Sequence, residues 1–294
     1  MEVLWGSALL LAVAVLLCEG MRALSRRKFR PGLALELCME LVCTLQLCCC
    51  VRELALLGAR GVLHPLLSLC LTYLLTMLHS LTCPAACNPC SSLQLWLRGE
   101  AAAKDTALRV GAQLAGAQVS RLVMPLLWSC GLSPLHRNVP GCESPLRIGS
   151  LPGAGYEMFC ALCLYLLLCN LNRLQPPLRP HLVAALITSL VYTGGHLTGA
   201  VFNPALAFSI VFSCEGNTLL EYMFVYWLGP VIGKSSPFLP FHICSKFLLS
   251  TDEAMQDPRR APIYCDLIPW SSSLPSSASS YNVKILVAVF KRML

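Results

Sequence analysis

Three cysteines have the residue type and spacing of an iron–sulfur site. Cys83, Cys87 and Cys90 form a C-x3-C-x2-C pattern, the spacing of a radical iron–sulfur enzyme. Such a cluster sits in a charged, soluble α/β barrel, whereas this segment lies between apolar runs and contains Pro84 and Pro89. The histidines show no paired metal-binding spacing, and the sequence contains no glycine-rich phosphate loop. The sequence therefore predicts no metal, no cofactor and no enzyme.

The composition excludes a soluble domain. Of the 294 residues, 56% are hydrophobic and 13% are charged, and the mean hydropathy is +0.64. Soluble domains carry about 25% charged residues, and about half that fraction cannot cover the surface of a 32.0 kDa globule. The same shortage of charge excludes an extended disordered chain. We expect a protein that lies mostly in lipid.

The net charge of +7 is concentrated at one place in the chain. A short basic run follows the first apolar segment and comprises Arg22, Arg26, Arg27, Lys28 and Arg30. Membrane proteins keep their cytoplasmic anchor at such a position. A solvated patch that binds phosphate is the alternative. The arrangement of the basic residues does not favour nucleic acid as a partner.

The 18 cysteines do not predict a disulfide framework. Many of them lie in apolar runs, where cysteine behaves as a small hydrophobic residue; these are Cys43, Cys48, Cys49, Cys50, Cys160, Cys163 and Cys169. Only Cys130 and Cys142 flank a polar loop. We therefore expect this pair alone to be open to oxidation.

Seven apolar stretches organise the chain. The first, residues 3–18, falls short of the roughly 20 residues that span a bilayer, and lacks the basic start of a cleaved signal peptide. It predicts an uncleaved anchor or an interfacial helix. The last, residues 222–233, covers only about three helical turns. The other five stretches are 33–57, 61–97, 108–130, 155–170 and 180–214.

Two of these stretches are too long for one helix. Residues 61–97 and 180–214 would each extend about 50 Å as a helix, which exceeds the hydrocarbon core of about 30 Å. Each contains an Asn-Pro pair, Asn88-Pro89 and Asn203-Pro204. Because proline is tolerated in the first helical turn and breaks a helix interior, each stretch predicts a full span, a re-entrant segment and a half-helix. Irregular backbone survives at membrane depth only beside a cavity, so both pairs should face a pore or a binding site.

An internal duplication supports this organisation. Glu40 precedes Asn88 by 48 residues, and Glu157 precedes Asn203 by 46. Each unit then holds three crossings, so the second unit is inverted relative to the first, as in transport proteins. Chance spacing of the two Asn-Pro pairs is the alternative. The predicted divisions are an amino-terminal apolar and basic segment (1–32), a first repeat with its connecting loop (33–153), a second repeat (154–233) and a tail (234–294).

The residue types at the motifs suggest their roles. Asn88 and Asn203 can cap their half-helices through the side-chain oxygen and keep an amide N–H for a permeating molecule. The two half-helix amino termini add partial positive charge, which repels cations and protons. Each asparagine could instead be a structural cap only. Glu40 and Glu157 are expected to serve the fold, because the re-entrant segments offer backbone groups to fix a buried carboxylate.

With these motifs, residues 33–233 resemble the aquaporin family. The second motif, LTGAVFNPALA (197–207), is similar to that family's loop, and the first departs from it because Cys90 replaces the usual alanine. Asn-Pro-Cys, LQLCCCVREL (45–54) and LVYTGGHLTGAVFNPAL (190–206) resemble the family's unorthodox intracellular branch, as does Cys214, nine residues after Ala205. The resemblance assigns pore motifs to Asn88, Pro89, Cys90, Asn203, Pro204 and Ala205, and a structural role to Cys214.

The same resemblance implies a fold, a filter and a function. The fold would be an all-α membrane protein, a six-span inverted-repeat bundle with two re-entrant half-helices and an extra amino-terminal apolar helix. The family's spacing places filter positions at Val191, Ala200 and Leu206, where apolar groups replace a histidine and an arginine. Such a filter should admit water, glycerol and hydrogen peroxide. The resemblance also implies residence in lipid of the endoplasmic reticulum or another intracellular membrane, and a homo-oligomer, a tetramer in the family.

The carboxyl-terminal end departs from the family. After Lys234 the chain contains Asp257-Pro-Arg-Arg260 and the low-complexity stretch SSSLPSSASS (271–280). The last span, 222–233, would measure about 18 Å, so it is predicted to be truncated, unless residues 238–250 complete the crossing imperfectly. We expect a loosely attached, largely disordered tail. A non-conducting membrane scaffold is therefore the alternative to a channel.

Overall fold

The computed structural model describes residues 2–61, 64–137 and 139–235, and they form a helical bundle as predicted. In these ranges the extended pairing is limited to one bridge between Glu143 and Glu215. The helices are α1 (Glu2–Lys28), α2 (Leu33–Ala59), α3 (Pro65–Thr82), α4 (Pro89–Leu97), α5 (Ala103–Ser129), α6 (Ser150–Asn170), α7 (Leu178–Thr198), α8 (Pro204–Ile210), α9 (Leu219–Met223) and α10 (Gly229–Ser235). A π-helical turn, Phe224–Leu228, joins α9 to α10, and short 3-10 turns occupy Pro134–His136 and Leu171–Arg173.

The two halves of the bundle have the same order of elements. A long helix that carries a buried glutamate comes first, followed by a second long helix, a half-helix and a closing span, in α2–α5 and again in α6–α10. The half-helices α4 and α8 begin at Pro89 and Pro204, where the Asn-Pro pairs predicted them. Helix α2 packs on α5, α6 on α10, and α3 on α7, so the last pair joins the halves.

Glycines permit the closest helix contacts at equivalent places in both halves. A Cβ at Gly116 of α5 would overlap the Leu41 carbonyl of α2. A Cβ at Gly233 of α10 would likewise overlap the Met158 carbonyl of α6. Small residues allow membrane helices to pack backbone against backbone, which compensates for the weak hydrophobic driving force between helices in lipid.

Helix α1 is longer than the sequence predicted. It runs past the expected end at residue 18 and continues through Glu19 and Arg22 to Lys28. Leu10 and Ala14 pack on the α2 and α5 side chains, and Leu11 and Val15 reach α3. The charges do not end the helix because Glu19 pairs with Arg22 at 2.7 Å.

The basic run that begins at Arg22 is not uniformly solvated. Arg22 itself is fully buried, whereas the Arg26 side chain is 40% exposed. Arg22 therefore packs inside the bundle and does not belong to the solvated part of the run. By length and composition, α1, α2, α3 and the segment Ser150–Arg173 could each cross a membrane.

The last span is longer than residues 222–233. It begins at Leu219, because a capping box between Thr218 and Glu221 starts the helix earlier. It continues to Ser235 at the end of the described chain, so the described part would measure about 25 Å. Lys234, which we assigned to the tail, is instead buried within α10. The rest of the predicted tail lies outside the described residues.

The oxidation of the cysteines differs from the expectation: Cys169, which was expected to pack as a small hydrophobic residue, is disulfide-bonded, and the expected Cys130–Cys142 pair does not form. Cys142 is bonded to Cys214, while Cys130 is free and exposed. The connection between α5 and α6 runs beside the segment that follows α8: Ser144 N–H donates to the Glu215 carbonyl at 2.7 Å, and Glu215 N–H to the Cys142 carbonyl at 2.9 Å. This pairing brings together two cysteines that are 72 residues apart in the chain.

Candidate functional site

The two Asn-Pro motifs meet inside the bundle. The Asn88 side-chain amide Nδ2 donates to the Phe202 carbonyl at 3.3 Å. The Asn203 amide Nδ2 donates to the Cys87 carbonyl at 2.8 Å. Each asparagine thus bonds to the residue that directly precedes the other asparagine, and this reciprocal amide pair fixes the two half-helix starts against each other.

The same side chains cap their own half-helices. Asn88 Oδ1 accepts from Cys90 N–H at 2.9 Å. Asn203 Oδ1 accepts from the N–H groups of Ala205 and Leu206 at 3.0 and 3.4 Å. A primary amide carries two N–H groups, and only one from each asparagine is used across the pair. Within the described ranges, the other N–H of each amide donates to no protein group.

The backbone before each asparagine is strained. Cys87 and Phe202 have φ values of 53° and 35°, and Ala200 has 48°. A residue with a Cβ adopts this left-handed region at a cost of about 1–2 kcal/mol. Strain of this kind persists only where surrounding contacts impose it. Two buried glutamates supply those contacts.

Glu157 of α6 holds the second re-entrant segment. Its carboxylate accepts from Thr198 Oγ1 at 2.5 Å, from Val201 N–H at 3.1 Å and from Phe202 N–H. The glutamate is fully buried, so these donors replace the water that a carboxylate requires. The carboxylate thereby fixes the backbone on which Asn203 stands.

Glu40 of α2 holds the first segment in the same way. Its carboxylate accepts from Ala86 N–H at 3.2 Å and from Cys87 N–H at 2.9 Å. A third donor is the Gln113 amide of α5 at 3.0 Å, which also donates to Ser92 of α4. The first half-helix is therefore tied to α2 and α5 through one buried polar network.

The three positions assigned to the filter lie in two groups. Val191 of α7 packs in one apolar cluster with Ala200 and Phe202. Leu206 of α8 lies in another cluster, which includes Val201. Ala200 and Leu206 are buried, and Val191 is partly exposed. All three side chains are apolar, so none of them supplies a hydrogen-bond donor.

Comparison with known proteins agrees with this architecture. The sequence profile of the family described as Major intrinsic protein matches residues 69–237, which is more than half of the chain. The chain belongs to the aquaporin family of major intrinsic proteins. A member of this family is a membrane channel for water or small solutes rather than an enzyme.

Individual relatives match most of the chain. Aquaporin-11 of Equus caballus is 40% identical over 229 residues, 76% of this chain and 84% of the relative. Aquaporin-11 of Homo sapiens is 37% identical over 227 residues, again 76% and 84%. Aquaporin-12 of Mus musculus is 37% identical over 226 residues, 74% and 78%. The name aquaporin-11 agrees with the branch that the Asn-Pro-Cys motif indicated.

One solved structure is also similar. It is the aquaglyceroporin from Plasmodium falciparum, with a TM-score of 0.44 and 18% sequence identity. The match covers 84% of this chain and 98% of the other.

Two arginines of this aquaporin support the second half-helix, a role that was not predicted from the sequence. Arg52 of α2 donates to the Ser209 carbonyl at 2.5 Å, and Arg121 of α5 donates to the Phe208 carbonyl at 3.2 Å. Both carbonyls lie in the last turn of α8, where a helix presents partial negative charge. A charged residue within an apolar span needs a partner, and this rule could have marked both arginines in advance.

Lys234 is a third residue whose role the sequence did not reveal. Its Nζ donates to Ser91 Oγ of α4, and its backbone carbonyl accepts from the Gln94 amide at 3.4 Å. These contacts join the last span of the aquaporin bundle to the first half-helix. Polar side chains of α4 thus contact Lys234 of α10 and, through Ser92, Gln113 of α5.

The C-x3-C-x2-C cysteines are part of the aquaporin core. Cys83, Cys87 and Cys90 are buried and free, and the Cys43 thiol contacts those of Cys83 and Cys87. Among the described residues, no group of three or more histidine, cysteine and acidic side chains could hold a metal ion. The three thiols of the pattern are buried at the first re-entrant segment and at the start of α4, and they belong to no metal ligand set in the described ranges.

Proposed function

We propose that the chain, as a homo-oligomer, conducts water and small neutral solutes, glycerol and hydrogen peroxide among them, across an intracellular membrane. The observation that carries the proposal is the reciprocal amide pair. Asn88 and Asn203 each cap a half-helix with the side-chain oxygen and donate once to the opposite segment. One N–H of each amide stays available to orient a permeating oxygen.

The apolar filter supports passage of solutes larger than water. Val191, Ala200 and Leu206 supply no side-chain donor or acceptor. A pore that lacks fixed donors orders water weakly and adds no charge against a neutral solute. Glycerol and hydrogen peroxide carry their own hydroxyl groups and can bond to the two amides in turn. Solute flux through purified protein in vesicles, compared with an asparagine variant, tests the proposal.

Residence in the endoplasmic reticulum is proposed from the resemblance to the intracellular branch. The disulfide supports an orientation in that membrane. Counted from the basic run after α1, the helices place Cys142 and Cys214 on the opposite face of the membrane. Disulfides persist in oxidising compartments such as the lumen, and basic residues favour the cytosol. Surface labelling of intact cells that reached most of the protein would contradict this location.

A membrane scaffold without conduction is the second candidate, and the last span favours it. The described part of the last span, up to Ser235, covers about 25 Å, and the sequence that follows contains Pro237, Pro240 and the low-complexity stretch 271–280. A span cut short by these residues would let neighbouring helices face lipid, which is tolerable in a bilayer. A gap beside the half-helices would nevertheless weaken the pore wall.

Completing the span should therefore increase conduction. Replacement of residues 236–294 by a continuous apolar helix is expected to raise flux several-fold at equal protein amount, because the pore wall is sealed. The junction follows Ser235, so that Lys234 keeps its bond to Ser91. A flexible glycine–serine segment of equal length in the same place is the control and should give no increase. Equal flux from the natural chain and the apolar chimera would mean that the natural last span is already complete.

A further inference from the structure

Arg22 is the one charged residue of α1 that is fully buried in the described structure. Its Nε and Nη2 donate to Glu19 Oε2 at 3.1 and 2.7 Å. Its Nη1 donates to Gln46 Oε1 of α2 at 2.7 Å and to Cys83 Sγ at 3.5 Å. The guanidinium therefore joins α1, a helix that lies outside both repeats, to the bundle.

The contact of Arg22 with Cys83 lies at the start of the first re-entrant segment. Cys83 ends α3 and begins the re-entrant segment that leads to Asn88. The other end of this segment is held by Glu40 through Ala86 and Cys87. Arg22 and Glu40 thus hold the segment at its two ends, and Asn88 follows directly.

The second re-entrant segment needs no such contribution from outside the repeats. Its start is held by Tyr226, whose hydroxyl donates to the Thr198 carbonyl at 2.8 Å. Its far end is held by Glu157. Both of these residues belong to the second repeat, whereas at the first segment the charged group that contacts Cys83, beside the Cys43 thiol of α2, comes from α1.

Burial of an arginine is costly unless its charge and its donors are satisfied. One turn further along α1, Arg26 also lies near Glu19 but remains 40% exposed. An arginine at the end of α1 can therefore pair with Glu19 and stay in solvent, so the pairing alone does not explain why Arg22 is buried. The planar guanidinium fork spreads its donors over three nitrogens that reach Glu19, Gln46 and Cys83, whereas the three donors of an ammonium group radiate from one nitrogen and do not reproduce this spacing.

We propose that Arg22 is a positioning residue for the first Asn-Pro motif, so that α1 helps to set the shape and selectivity of the pore. The proposal rests on the proposed channel function. Arg22 contacts no permeating solute and acts through Cys83 and Gln46.

Three variants separate positioning from folding. Arg22→Lys keeps the charge beside Glu19 and should insert like the natural chain. Its flux per molecule should fall about tenfold, and its glycerol-to-water permeability ratio should change about threefold, because the fork is lost. Arg22→Met should show the same changes together with less inserted protein. Arg26→Met is the matched control, one helical turn away, and should leave flux and ratio unchanged.

A second measurement does not depend on flux. N-ethylmaleimide alkylation of Cys83, followed by mass spectrometry of its peptide, should be about tenfold faster in Arg22→Lys than in the natural chain or in Arg26→Met. Equal alkylation and an unchanged permeability ratio in Arg22→Lys would overturn the proposal. If no form conducts, the proposed function fails, and the alkylation rates alone still decide whether Arg22 holds the segment.

Discussion

Asn203→Asp is expected to lower solute flux about a hundredfold while the second half-helix stays in place. Aspartate is a good helix cap, so the bonds from Ala205 and Leu206 are kept. The amide that donates to the Cys87 carbonyl at 2.8 Å is lost, and a carboxylate then faces that carbonyl oxygen. The change removes the donor and adds a negative charge to the site. In enzymes, loss of one preorganised donor lowers the rate about 10²–10³-fold. Vesicle shrinkage and peroxide uptake at equal protein amount measure the effect.

Two further asparagine variants test whether the loss of flux is specific to the Asn-Pro motifs. Asn88→Asp removes the donor to the Phe202 carbonyl and should have an effect of similar size. Asn170→Asp makes the same chemical change at an exposed helix end, where the amide bonds to the Leu166 carbonyl, and should conduct normally. Normal flux through Asn203→Asp would mean that the asparagines are structural caps only, and the channel proposal would lose its main support.

Glu157→Leu is expected to destabilise the protein by about 3 kcal/mol or more. The substitution removes the acceptor of Thr198, Val201 and Phe202, and each buried donor left without a partner costs about 1–3 kcal/mol. Glu157→Gln keeps one side-chain oxygen and should lose roughly half as much. The amount of folded protein in membranes and the midpoint of thermal unfolding should therefore fall in the order glutamate, glutamine, leucine.

An exposed glutamate is the control for this series. Glu143 pairs with Arg147 at the surface, where its side chain is 72% exposed. Its change to glutamine or leucine should leave the unfolding midpoint nearly unchanged, because surface ion pairs contribute little. Equal stability of the glutamine and leucine variants at position 157 would contradict the structural role that we assign to the buried carboxylates.

Local patterns in the sequence determined the architecture. Asn-Pro pairs near the ends of two overlong apolar runs marked the starts of α4 and α8, because proline is accepted in the first helical turn and excluded from its interior. The repeated spacing from glutamate to asparagine predicted two matching halves. These signals depend on helix geometry and on the thickness of the bilayer. Both limit each segment by itself, whichever other segments it packs against.

Partners across the bundle could not be predicted in this way. The sequence favoured oxidation of Cys130 with Cys142, but Cys142 lies beside Cys214 because the loop after α5 pairs with the segment after α8. A disulfide depends on which chain segments meet, and loop polarity carries no such information. The contacts of Arg52 and Arg121 with the end of α8 were missed for the same reason.

The basic run after α1 shows the same division between sequence and structure. The sequence placed it after the first apolar segment, but only the tertiary structure decided that α1 continues through it and that Arg22 is buried while Arg26 is exposed. The two arginines are one helical turn apart on the same helix, and both lie near Glu19. Only Arg22 reaches Gln46 and Cys83, because burial of a charge is favourable only where acceptors from other segments replace its water.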